Sequence, residues 1–183
     1  MKLLREYIRE LLTERVHPNI GHMIRRAKKE GMRLELHADG VMLKDEDGFM
    51  VGHINWKTNV HAGKCLGAQI VGYSSAPDGF GPLLYDIAIE ATGGLTPDRG
   101  SVSDDARGVW TFYDEERSDI IKTQLDNPYN ALTPSEEDNC VQFSAINDLG
   151  PDDWQESPLS RVYKKTGTPV IDRIKEMGMF DKV

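Results

Sequence analysis

Apolar residues follow two different periods along this chain, and the changes of period predict its elements. Over residues 1–14, Leu3, Leu4, Tyr7, Ile8, Leu11 and Leu12 recur at helical spacing, with Lys2, Arg5, Glu6, Arg9 and Glu10 opposite them. Ile20, Met23, Ile24 and Ala27 repeat that spacing between Arg15 and Gly31, behind a His17-Pro18-Asn19 helix start. The basic residues Arg25, Arg26, Lys28 and Lys29 gather at the end of this helix, where cations favour the dipole. From Met32 to Lys57 the period falls to two. Leu34/Leu36, Val41/Leu43, Met50 and Ile54/Trp56 alternate with polar residues, and Asp39-Gly40 and Asp45-Glu-Asp-Gly48 supply hairpin turns.

A strand is predicted over Leu66–Tyr73, then a glycine-marked turn with Gly79 and Gly81, then a helix over Pro82–Ala91. Gly93-Gly94 breaks the chain before a short strand and a helix over Asp104–Glu116. Ser118 suits the N-cap of a further helix over Asp119–Leu125, Cys140–Ile146 reads as a short strand, and Thr168–Met177 reads as a closing helix stopped by Gly178. The whole predicts a mixed α/β (α+β) fold with a central sheet flanked by helices. Three segments follow: an amphipathic N-terminal helix (1–14), a central domain (15–130), and a C-terminal extension packed on it (131–183).

Composition narrows the function classes. The chain has 183 residues and a net charge of −8, which argues against general nucleic-acid binding. No apolar run reaches the length of a membrane span. Cys65 and Cys140 form no Cys-x-x-Cys pair, so no disulfide framework is implied and a reducing cytosol fits at least as well as an oxidising compartment. His17, His22, His37, His53 and His61 show no zinc-type spacing, and Asp45–Gly48 lacks the spaced ligands of a calcium loop. No metal site is expected.

The junction of strand and helix around Gly79 and Gly81 carries the candidate chemistry. Unpaired amides and the helix dipole make such a junction an anion site. Ala76-Pro-Asp-Gly79-Phe-Gly81-Pro-Leu-Leu resembles the pyrophosphate-binding loop and helix start of the GNAT acetyltransferase superfamily, whose loop reads Gln/Arg-x-x-Gly-x-Gly/Ala. Ser103-Asp-Asp-Ala106-Arg-Gly-Val-Trp110 is similar to that family's later helix. The resemblance implies a splayed central sheet and acetyl-coenzyme A as cofactor. It also implies cofactor contacts from Ala76, Asp78, Gly79, Phe80, Gly81 and Leu83.

Three positions depart from the family pattern: Ala76 replaces Gln or Arg, Pro82 removes an amide donor just after the loop, and Trp110 replaces the tyrosine that often protonates the leaving thiolate. An indole N–H is a poor acid, which leaves Tyr113, three residues on, as the candidate catalytic residue; the other reading of Trp110 and Tyr113 is as core or groove-lining aromatics. His53 and His61, near the strands that border the groove, are candidate bases. The implied activity is acetyl-CoA-dependent N-acyl transfer; the alternative is a GNAT-like fold without catalysis.

Residues 1–14 have two readings. They form a docking helix for the chain's own core, or they are similar to capsid-targeting leaders of internal head proteins in large tailed bacteriophages. Such leaders are cut after Leu/Ile-x-Glu, and Leu12-Thr-Glu14 fits. The second reading implies a phage protein in the host cytoplasm or packaged in the virion, with a phage head or host protein as partner.

Overall fold

The computed structural model describes residues 16–58 and 60–181, so the N-terminal segment 1–14 lies outside the described residues. The first helix, α1 (Pro18–Lys29), begins as the sequence predicts. Pro18 occupies the first turn, and the His17 ring accepts from the Asn19 amide at 3.4 Å. Ile20, Ile24 and Ala27 form its buried stripe. Three strands follow as an antiparallel meander: β1 (Arg33–His37), β2 (Gly40–Lys44) and β3 (Met50–Lys57). Asp45 holds the second turn by accepting from the amides of Asp47 and Phe49, at 3.1 and 2.8 Å, which is an ordinary turn role for its carboxylate.

The chain then builds β4 (Gln69–Ser75), α2 (Gly81–Thr92), β5 (Leu95–Thr96), α3 (Asp104–Glu115) and β6 (Ile121–Gln124). It closes with α4 (Phe143–Leu149), β7 (Arg161–Lys164) and α5 (Pro169–Glu176). Among the described residues the strands form one seven-stranded mixed sheet in the order β1-β2-β3-β4-β5-β7-β6. Only β4 and β5 run parallel, and they pair just at Gln69/Leu95 and Ile70/Thr96. Beyond Ile70, β4 continues to Ser75 without a partner on that side. There the sheet opens.

Helix α2 is the centre of the packing. Every residue from Leu83 to Glu90 is buried, so it is enclosed all round rather than along one stripe. Tyr85 meets Trp110 of α3 edge-on at 5.0 Å, and Trp110 in turn lies 4.9 Å from Tyr163 of β7. Two acids sit inside this core, and both are paired. Asp86 takes a bidentate grip from Arg117 at 3.0 Å on each oxygen, and Lys165 reaches it at 3.2 Å. Glu90 accepts from Lys165 at 2.6 Å and from the amides of Val170 and Ile171 at 3.0 and 2.8 Å, capping α5.

Four expectations need correction. The segment 119–125 is not a helix: Ile121–Gln124 pairs antiparallel with β7, and cross-strand contacts override local propensity. Residues 140–146 do not form a strand, since Phe143–Leu149 is helical and Gly150, at φ +95°, ends it. The C-terminal stretch is more than a covering, because β7 inserts between β5 and β6 in the sheet. Finally, Cys65 and Cys140 are joined in a disulfide across 75 residues, tying the β3–β4 connection to the segment before α4. Sequence separation concealed a pairing that tertiary contact creates.

Candidate functional site

The open edge of β4 leads into a groove. A cavity of about 370 Å³ lies at the end of β4, lined by Ala76, Asp78, Gly79 and Gly81 on one side and by Ser103 and Asp105 on the other. A second cavity of about 250 Å³ adjoins it between β4 and the loop before α3, lined by Tyr73, Asp98, Ser101, Val102 and Trp110. The two share Ser74, Tyr85, Ser103 and Ala106. A hydrogen bond of 2.8 Å between the Ser74 and Tyr85 hydroxyls ties strand to helix where they meet. Burial raises the Tyr85 phenol above its ordinary pKa, and the Ser74 bond only partly offsets this.

The loop is built to bring backbone to the groove. The Phe80 amide donates to the Pro77 carbonyl at 3.0 Å and closes a turn, while the Phe80 ring is wholly buried as its anchor. Gly79 adopts φ +81°, which a side chain would strain, and a Cβ there would lie 3.3 Å from the Arg26 guanidinium. At the start of α2, Phe80 supplies no side-chain cap and Pro82 has no N–H. The first-turn donor on the cavity lining is therefore the Gly81 amide. Helix α3 starts at the same cavity with Ser103 as its N-cap, the hydroxyl accepting from Ala106 at 3.4 Å. Two helix N-termini thus converge on one space.

Of the residues expected to hold a cofactor, Ala76, Asp78, Gly79 and Gly81 line this cavity. Phe80 and Leu83 are wholly buried and line neither cavity, and the Phe80 amide is taken by the Pro77 carbonyl. Tyr113 lies elsewhere. No atom of it is exposed, and its hydroxyl faces Asp86 at 2.5 Å and the Pro82 carbonyl at 2.7 Å. Burial, and then the Asp86 charge, hold its phenol well above the usual range. The structure therefore corrects the expected acid: Tyr113 serves the core, not the groove.

His53 stacks on Tyr73 with ring centroids 5.0 Å apart, one residue removed from the second cavity. His61 sits in a 3-10 turn (Val60–Ala62) between β3 and β4 and lines neither cavity. Among the described residues no cluster of three His, Cys, Asp or Glu side chains is arranged to hold a metal.

Sequence reasoning left out Ser74, Tyr85, Asp98 and Ser101, which frame the groove. Asp98 accepts from the amides of Gly100 and Ser101 at 2.7 and 3.1 Å, fixing the loop that walls the second cavity. Asp98-Arg-Gly100 was the available signal, as an Asx turn. No family model, curated protein or solved structure matches the chain, so what the groove does has to be argued from its geometry.

Proposed function

We propose that the protein binds acetyl-coenzyme A in this groove and transfers its acyl group to an amine, on a GNAT-like fold. One observation carries the reading. The parallel strands β4 and β5 part after Ile70, and the gap opens onto a glycine loop with uncapped helix amides. The single parallel pair within an otherwise antiparallel sheet agrees with the splayed arrangement that the sequence resemblance implies.

The backbone around the loop fits such a group, while the side chains lining the groove bring no cation to it. The Gly81 amide at the start of α2 suits a pyrophosphate, and Gly79 and Gly81 bring backbone without side chains to the cavity wall. The unpartnered edge of β4 offers backbone donors to a polarised carbonyl. The second cavity, with Tyr73, Asp98 and Ser101, has room for the acceptor. When bound, the thioester supplies an activated acyl carbon: a C–N bond forms as the C–S bond breaks, the acceptor loses a proton and the thiolate gains one. This chain's part is to orient both reactants and exclude water between β4 and the loop after β5.

Calorimetric titration with acetyl-coenzyme A and coenzyme A tests the reading. An affinity on the order of 1 μM is expected, lost in Gly81→Val. A Cβ at Gly81 lies 3.5 Å from Val109 Cγ2, so the branches of valine fill the groove entrance. A folded wild-type protein that binds neither ligand would remove the enzyme reading.

One observation favours a second reading, in which the fold binds without catalysis. The two α3 aromatics bring no phenol acid to the groove, since Tyr113 is sealed in the core and Trp110, which lines the groove, carries only an indole N–H. Such a protein would be a phage component, packaged in the head or acting on a host factor from the host cytoplasm. Coenzyme binding without transfer to any of a panel of amines would select it. A chain beginning at Arg15 in mature particles, read by mass spectrometry, would add the head location. No helix among the described residues is long and apolar enough to cross a membrane.

A further inference from the structure

A phosphate-bearing ligand needs positive charge, and the groove lining supplies none. Among the described residues that lining holds Asp78, Asp98 and Asp105 and no Lys, Arg or His. Ala76 offers only a methyl group. Helix amides contribute about half an elementary charge at a terminus, which three carboxylates oppose.

A cation does reach the loop, from another element. Arg26, in the last turn of α1, donates from Nη1 to the Asp78 carbonyl at 3.2 Å, and its guanidinium lies 4.6 Å from the Phe80 ring centroid. The same Nη1 comes within 3.3 Å of where a Gly79 side chain would begin. Its Nε is paired to Glu30 at 2.8 Å. An arginine carries five N–H donors; with two engaged, three remain without a partner among the described residues. Glu30 and Asp78 are the negative groups beside it, but a guanidinium paired on one flank keeps directional donors on the other. Arg25, its neighbour in sequence, is turned away and lines a separate cavity with Val16, Pro18 and Arg173.

We infer that Arg26 is a phosphate-binding residue of this site, holding a phosphate group of the coenzyme against the loop. The inference rests on the coenzyme reading above. A helix distant in sequence thereby supplies the cation that the loop itself lacks. Coenzyme A carries such groups in two places, the pyrophosphate and the 3′-phosphate, and dephospho-coenzyme A lacks the second.

The test is calorimetric titration of both ligands into the full chain and into Arg26→Ala, Arg26→Lys and Arg25→Ala. Removing Arg26 is expected to weaken binding roughly 10- to 100-fold, the range for a charged hydrogen bond. Lysine should recover part of this as a point charge, and Arg25→Ala should bind like the wild type. A loss confined to coenzyme A assigns Arg26 to the 3′-phosphate, and an equal loss for both ligands assigns it to the pyrophosphate; either supports the inference. Unchanged affinity in Arg26→Ala overturns it and leaves the coenzyme reading standing. A wild-type protein that binds neither ligand overturns both. The Arg26 side chain is 44% exposed, so its removal should leave the urea midpoint unchanged, and binding loss then reports contact rather than unfolding.

Discussion

The two ends of the segment 76–90 treat polar groups in opposite ways. At Ala76–Leu83 the backbone is left short of partners: the cap residue offers no side-chain bond, and Gly81, at the first helical position, lines a cavity. From Asp86 to Glu90 every charge is enclosed and matched, by Arg117, Lys165 and the amides that open α5. Buried charge is tolerated only when it is paired and hydrogen-bonded. Unpaired donors are tolerated only where water or a ligand can reach them. One helix thus anchors the core with its later turns and presents a binding surface with its first.

Variants can break that contrast. The largest effect is expected for Asp86→Ala, which takes from Arg117 and Lys165 their shared partner and leaves them Asp119 and Glu90. Losing one side of a buried ion pair costs about 3–5 kcal/mol, read as a lower urea midpoint, with the coenzyme affinity of the remaining folded protein unchanged. A fall of under about 1 kcal/mol would mean that the network is not the anchor.

Glu90→Gln should cost about 2 kcal/mol, because one amide oxygen cannot accept from Lys165 and from both the Val170 and Ile171 amides. It should also change the pH profile. Burial raises the Glu90 pKa above its ordinary value, against the opposing pull of Lys165 and the two amides. The folded state then holds this proton more tightly than the unfolded chain, so the Glu90 contribution falls as pH rises from the ordinary carboxylate value through the raised one. The glutamine variant should lose that slope, and an identical slope in both proteins would assign it to another group.

Tyr113→Phe sharpens the contrast with the smallest change. Asp86 keeps Arg117 and Lys165, so about 1 kcal/mol of stability should be lost, and coenzyme binding should be unaffected. Weakened binding would return Tyr113 to the groove.

Much of the outer frame is legible in the order of residues. The meander β1–β3 follows from strict alternation and two acidic turns, and α1 from a Pro-led helical stripe with a basic end. Gly79 and Gly81 mark the strand-to-helix junction, since each reading depends only on neighbours within a few positions. The second half of the chain is harder to read. Ile121–Gln124 has no strong local preference, and its partner lies about forty residues away in β7. The buried acids of α2 resemble ordinary polar positions on an amphipathic helix. Their burial depends on Arg117 and Lys165, which arrive from α3's far end and from the residue after β7.

The sequence alone determined the local periods, the caps, the turn residues and the place of the glycine loop, because these are set by backbone sterics and near-neighbour burial. Tertiary structure alone decided that β4 parts from β5, that Cys65 meets Cys140, that Tyr113 is sealed inside, and that Arg26 lies on the loop. Each of these joins residues far apart in sequence, and such contacts have no local signature: they exist only once the core has packed and brought the surfaces together.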